Sequence, residues 1–164
     1  MPERDYIGDT LEVGYRGVFD FDGLYKTLYQ WFKKYGYLFR ELDYKEYKES
    51  GTQKLLVKWM GTKKVNDYVK YIIEVNLQLD GMTEVVVKNK KKLSGGLVIR
   101  ITGHLQKDYE ETWSKTKLAK FLREAYDQFV AGSAMQEMRD ELGKDMQMFR
   151  DHVKSFLNLQ KTGK

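Results

Sequence analysis

Lys88, Lys90, Lys91 and Lys92 crowd into one short stretch, KNKKK, between two runs of β-branched and aliphatic residues. Ammonium groups at that density, with no acid between them, suit a phosphate backbone, because displacing its condensed counterions favours contact. Few arginines accompany them, so bidentate reading of base edges is not expected. The competing role is a hairpin tip that charge keeps soluble and closed to edge-to-edge pairing. A net charge of +5 is a mild basic excess and decides neither way.

The other side chains able to do chemistry are scattered. The chain has no cysteine, which removes thiol nucleophiles, disulfides and thiolate zinc sites. His104 and His152 lie far apart and neither has carboxylates at ligand spacing, so no metal site and no cofactor are expected. Phosphate-loop, dinucleotide, zinc-protease and serine-hydrolase motifs do not occur. Asp108 and Glu110-Glu111 fit a helix N-terminus, as do Asp20 and Asp22, and that role outweighs paired acid–base catalysis. No catalytic residue is assigned, and a non-enzyme is expected. Most of the twelve tyrosines fall between Tyr15 and Tyr71, interleaved with lysines in YKEYKES and DYVKYII. Such rings can stack bases on a sheet. Strands and helix edges use tyrosine for a plainer purpose, burying the ring while the hydroxyl stays wet, and that purpose is favoured.

Hydrophobic periodicity names the elements that must position these groups. Residues 1–10 show no period and read as an arm, and LEVGYRGVF over 11–19 reads as a short strand. Asp20 is a helix cap. Phe21, Leu24, Leu28, Trp31, Phe32 and Tyr35 follow at helical spacing until Gly36, with Lys26, Gln30, Lys33 and Lys34 on the solvated side. Tyr37 to Lys48 alternates as a strand, with a slip near Arg40 that a bulge explains. Leu55, Val57 and Trp59 mark the next strand, and Val69 to Leu79 a long one closed by the hairpin signal Asp80-Gly81. Val85 and Val87, then Leu97 to Leu105, complete five consecutive antiparallel strands after the first helix. Leu118, Phe121, Leu122, Ala125, Phe129 and Val130 form a helical stripe over 117–131. Met135, Leu142, Phe149 and Phe156 then recur every seven residues, widened by Met138, Met146, Val153 and Leu157 and broken by Asp145 and His152.

The expected fold class is α+β: an antiparallel meander of five to six strands covered by an N-terminal helix and a long C-terminal helical segment. In element order the outline is similar to the helix-grip fold, in which a curved sheet wraps a long terminal helix. The domain plan is an arm at 1–10, an α+β domain over 11–131 and a helical extension over 132–164. Turns of a meander alternate between the two ends of its sheet. On this strand count Lys63 and Lys64 join Lys88, Lys90, Lys91 and Lys92 at one basic, polyanion-binding pole. Glu46, Glu49, Asp80 and Glu110-Glu111 gather at the other. A helix over 117–131 suffices to cover the sheet. That leaves Met135, Met138, Leu142, Met146, Phe149, Val153 and Phe156 for pairing with a second subunit.

The stretches YRGVFDFDGLYKTLYQWFKKYGY, KKVNDYVKYIIEV and KLAKFLREAYDQF resemble a group of small uncharacterised archaeal proteins. The resemblance implies an archaeal, intracellular origin and carries no catalytic residue across. MPERDYIGDTLEVGYRG lacks the basic-then-apolar order of a secretory signal, and no window holds the roughly 20 apolar residues of a spanning helix, so a cytoplasmic location is expected. The expected function is a non-catalytic, homo-oligomeric interaction protein whose basic pole contacts RNA, ribosome or DNA. The alternatives are a structural subunit of a self-assembling particle or filament, and a helix-grip-like binder of an apolar ligand.

Overall fold

The computed structural model describes residues 3–66, 68–107 and 132–162. Along the chain these form β1 (Glu3–Tyr6), β2 (Leu11–Phe19), α1 (Phe21–Lys34), β3 (Leu38–Glu49), β4 (Thr52–Lys64), β5 (Val69–Val87), β6 (Lys90–Lys107) and α2 (Gly132–Thr162). All pairings are antiparallel, in the order β1-β6-β5-β4-β3, with β2 also on the outer side of β6. The result is an open six-stranded sheet with helices on its core face, the α+β class expected. No described helix is long and apolar enough to cross a membrane.

The start of α1 follows the sequence closely. The Asp20 carboxylate accepts the Gly23 N–H at 3.0 Å, and Leu24, Leu28, Trp31 and Phe32 are buried. At its far end Gly36 takes a φ of +82°, which lets the Tyr37 N–H reach the Phe32 carbonyl at 2.8 Å. The slip near Arg40 corresponds to a register shift between Glu41 and Asp43, where Leu42 has no partner.

Two expectations fail. The residues read as an arm include β1, which pairs with β6 from Glu3 opposite Lys107 to Tyr6 opposite His104. Four residues of charged and aromatic character carry too little alternation to announce a strand. Asp80-Gly81 does not reverse the chain. Its residues lie inside β5, where the register to β6 shifts between Asp80 and Thr83 and Gly81 holds a φ of +61°. A hairpin turn and a bulge both need a residue at positive φ, so the same dipeptide serves either. The reversal comes instead at Lys88-Asn89, both at positive φ, between Val87 and its partner Lys90. β5 and β6 are therefore single strands of 19 and 18 residues.

The core lies between the sheet and the two helices. Phe32 of α1 and Phe149 of α2 meet with ring centroids 5.0 Å apart, above fully buried Trp59, Ile73 and Val75. Two strand glycines make this close cover possible. A Cβ on Gly61 would run into the Phe32 ring, and one on Gly103 into the Met146 thioether. α2 runs antiparallel to α1. Arg139 near its start binds Asp5 of β1, and the Gln160 side chain near its end accepts the Asp20 N–H at 3.1 Å.

This placement corrects the extension expected over 132–164. Met135, Leu142, Met146, Phe149 and Val153 are buried in the chain's own core, and Met138 and Phe156 pack against it. The seven-residue period is the footprint of a helix lying along its own sheet, so the seam is not available to a second subunit. The helix expected over 117–131, the boundary at 131 and the acids Asp108 and Glu110-Glu111 lie outside the described residues.

Candidate functional site

The corrected strand count takes the expected basic pole apart. With β5 unbroken, the turns at Ser50-Gly51 and Lys88-Asn89 share one end of the sheet, here called distal. The turn over 65–68 lies at the opposite, proximal end, shaped by the Asn66 side chain, which accepts the Tyr68 and Val69 N–H groups at 2.8 Å each. Lys64 pairs with Lys70 at the proximal end and Lys90 with Val87 at the distal one. From Lys70 to Val87 the strand runs about 55 Å at its normal rise per residue. Lys63 and Lys64 are thus remote from Lys88, Lys90, Lys91 and Lys92. The expected acidic pole fails with it. Glu46 stands at the same end as the lysine tip, and Asp80 sits within β5 with its carboxylate 3.7 Å from the Lys54 ammonium.

At the distal end the lysines meet acids. The Lys90 ammonium lies 3.0 Å from the Asp20 carboxylate that caps α1, tying the hairpin tip to the helix. Burial of Asp20 works to raise its pKa, but the Gly23 N–H and the Lys90 and Lys92 charges outweigh it and hold the carboxyl below the usual range. Lys91 and Lys92 line one side of a cleft of about 290 Å³, with Asp22, Tyr44, Glu46 and Glu84 among its other walls. Burial pushes the Tyr44 phenol up, helped by the charges of Glu46, Glu41 and Asp22. This end has mixed charge.

The proximal end differs. Lys33 and Lys34 form the last turn of α1, and the Lys63 side chain passes beside Gly36 just after it. The Lys63 ammonium lies 5.5 Å from the Tyr37 ring centroid, and that of Lys34 lies 5.5 Å from Tyr35. Beneath them the Tyr37 hydroxyl donates to Asp145 at 2.7 Å, and the Tyr71 hydroxyl donates to Glu141 at 2.9 Å. Burial, then the hydrogen bond to a carboxylate, pushes both phenols far above their ordinary value. Burial likewise raises the Asp145 carboxyl, opposed by the Tyr37 hydrogen bond and the Lys63 charge. Asp145 is 7% exposed and Tyr37 3%, so the pair is sealed from any substrate. It acts as a polar latch between α2 and the turn that leads into β3, and it explains why a carboxylate interrupts the seam.

The histidines stay apart. His104 is 1% exposed on the outer face of the sheet, 4.9 Å from the Tyr6 ring, and among the described residues neither ring nitrogen has a hydrogen-bond partner. Burial lowers its pKa, with Glu74 opposing and Arg4 assisting. Among the described residues no three histidine, aspartate or glutamate side chains come together as metal ligands. Tyr15, Tyr37, Tyr68 and Tyr71 are buried, so these four rings are closed to base stacking. Sequence reasoning missed Lys33 and Lys34, which it read as the solvated back of a helix. Their proximity to Lys63 depends on the turn through Gly36, and only a known α1–β3 connection would have shown it. No protein-family model matches this sequence, and no curated protein matches it significantly.

Proposed function

We propose that the chain is a non-catalytic interaction protein that meets the phosphate backbone of a nucleic acid through its proximal end. One observation carries this reading: Lys33 and Lys34 from α1, Lys63 and Lys64 from β4 and Lys70 from β5 gather at that end, while Asp145 there is buried under the Tyr37 hydroxyl. Lys33, Lys34 and Lys64 are exposed there, and a cluster in which lysine outnumbers arginine favours backbone contact over base reading. A cytoplasmic setting, where RNA is met, belongs to the same proposal.

Fluorescence anisotropy with a labelled single-stranded RNA and a labelled DNA duplex, at low and moderate salt, tests it. The triple variant Lys33→Glu, Lys34→Glu, Lys64→Glu is expected to weaken binding about tenfold or more and to flatten its salt dependence. The triple variant Lys88→Glu, Lys91→Glu, Lys92→Glu is expected to change it about twofold at most. Absence of binding at low salt, or the reverse ranking of the two variants, would overturn the reading.

A further inference from the structure

The distal cleft has a feature that neither solubility nor nucleic-acid contact uses. It lies on the core face of the sheet where the strands run past the start of α1. Leu55 and Leu93 lie on its floor, and the Phe21 and Tyr44 rings stand beside them. Glu46 pairs with Leu55 and Glu84 with Leu93, so both carboxylates project on the face where alternation calls for apolar side chains. Asp22, from the first turn of α1, adds a third acid. Lys91, on the same face as Leu93, supplies the opposite charge from the tip of β6, and Lys92 lines the cleft beside it.

These opposite charges share one cleft of about 290 Å³ without satisfying one another. Among the described residues, none of Asp22, Glu46, Glu84, Lys91 and Lys92 takes part in an ion pair. The topology explains the gap for Glu46. It stands on β3 and the lysines on β6, three strand spacings away, or about 14 Å across a sheet. A molecule with an ammonium at one end and a carboxylate at the other would pair with both sets. An extended two-residue peptide spans about 7 Å, which leaves each terminus within reach of a flexible side chain. Its side chains would rest on Leu55, Leu93 and the two rings. The volume lies at the small end of the range for ligand sites.

We infer that the distal cleft is a binding site for a small zwitterion with an apolar body, a short peptide with free termini. Asp22 and Glu46 take the ammonium, and Lys91 and Lys92 take the carboxylate. The site is independent of the proximal lysines.

NMR titration of the full chain with leucyl-phenylalanine, its N-acetyl form and its C-terminal amide tests the assignment. The free dipeptide is expected to shift resonances of Tyr44, Leu55 and Leu93 saturably, with each blocked form about tenfold weaker, as loss of one charge-assisted contact predicts. Glu46→Gln is expected to weaken the dipeptide and the amide but leave the N-acetyl form unchanged. Lys91→Gln with Lys92→Gln is expected to weaken the dipeptide and the N-acetyl form but leave the amide unchanged. The inference is overturned if the blocked forms bind as well as the dipeptide, or if shifts at the cleft stay absent up to the solubility limit.

Discussion

The two ends of the sheet carry the same residue type in opposite circumstances. At the distal end the strands outrun the helices, and lysines stand among acids above a half-open floor. At the proximal end α1 turns into β3 against the end of β4, and α2 closes over the sheet, so Asp145 is buried there while Lys33, Lys34 and Lys64 stay exposed. What a lysine does here is decided by helix cover. Where cover is complete, acids are drawn into hydrogen bonds with tyrosines. Where it stops, acids and lysines remain in water and can turn toward a ligand.

If cover sets the difference, substitutions should hurt most at the proximal end. Gly61→Ala should cost about 3 kcal/mol in chemical denaturation, because the new methyl meets the rigid Phe32 ring. Gly103→Ala should cost about 1 kcal/mol, since the Met146 thioether it meets can swing aside. Tyr37→Phe removes the donor to buried Asp145 and should cost about 2 kcal/mol, and adding Asp145→Asn should recover part of it. At the distal end Asp20→Ala, which removes the cap of α1, should cost about 1 kcal/mol. Lys90→Ala should cost about 0.5 kcal/mol or less, because its ammonium is largely in water. A larger loss from the distal pair than from Gly61→Ala and Tyr37→Phe would break the comparison.

The gentlest effect concerns acid. Burial holds the His104 imidazole below its ordinary value of about 6.5, so the folded chain binds fewer protons there than the unfolded one. The stability this contributes is complete above about pH 6.5 and is lost as pH falls through the depressed folded value. Glu74 and Arg4 act on the ring in opposite directions, and Tyr6 covers it. Urea melts of His104→Leu between pH 7 and pH 5 should show a shallower loss than the parent, and an unchanged slope would mean the ring is solvated.

Legibility in the sequence followed how local each signal was. α1 was readable because its cap, its stripe and Gly36 lie within one run of residues, and the bulge in β3 was readable as a slip of alternation. Asp80-Gly81 was not, because two different backbone events ask the same thing of that glycine. One misread turn then carried Lys88, Lys90, Lys91 and Lys92 to the wrong end of the sheet, since meander geometry passes every error on to the turns that follow. The seam of α2 had the right residues and the wrong partner. Period seven reports that a helix packs lengthwise on something, and Asp145 was the clue that the something included a buried phenol. The cleft left no periodic trace at all. Its sign was Glu46 and Glu84 on the core face, visible only once the register assigned them there.

The pairing of β1 and β2 with β6 has a consequence in time. Residues 3–19 are made before their sheet partners, residues 93–107. α1, though made early, meets Phe149 only when α2 exists. The β3–β4, β4–β5 and β5–β6 hairpins can form locally, but the second edge of β6 is filled only when it meets β1 and β2. Contacts this distant in sequence place folding on the slow side of single-domain behaviour, in milliseconds to seconds, and leave the first strand waiting longest for its place.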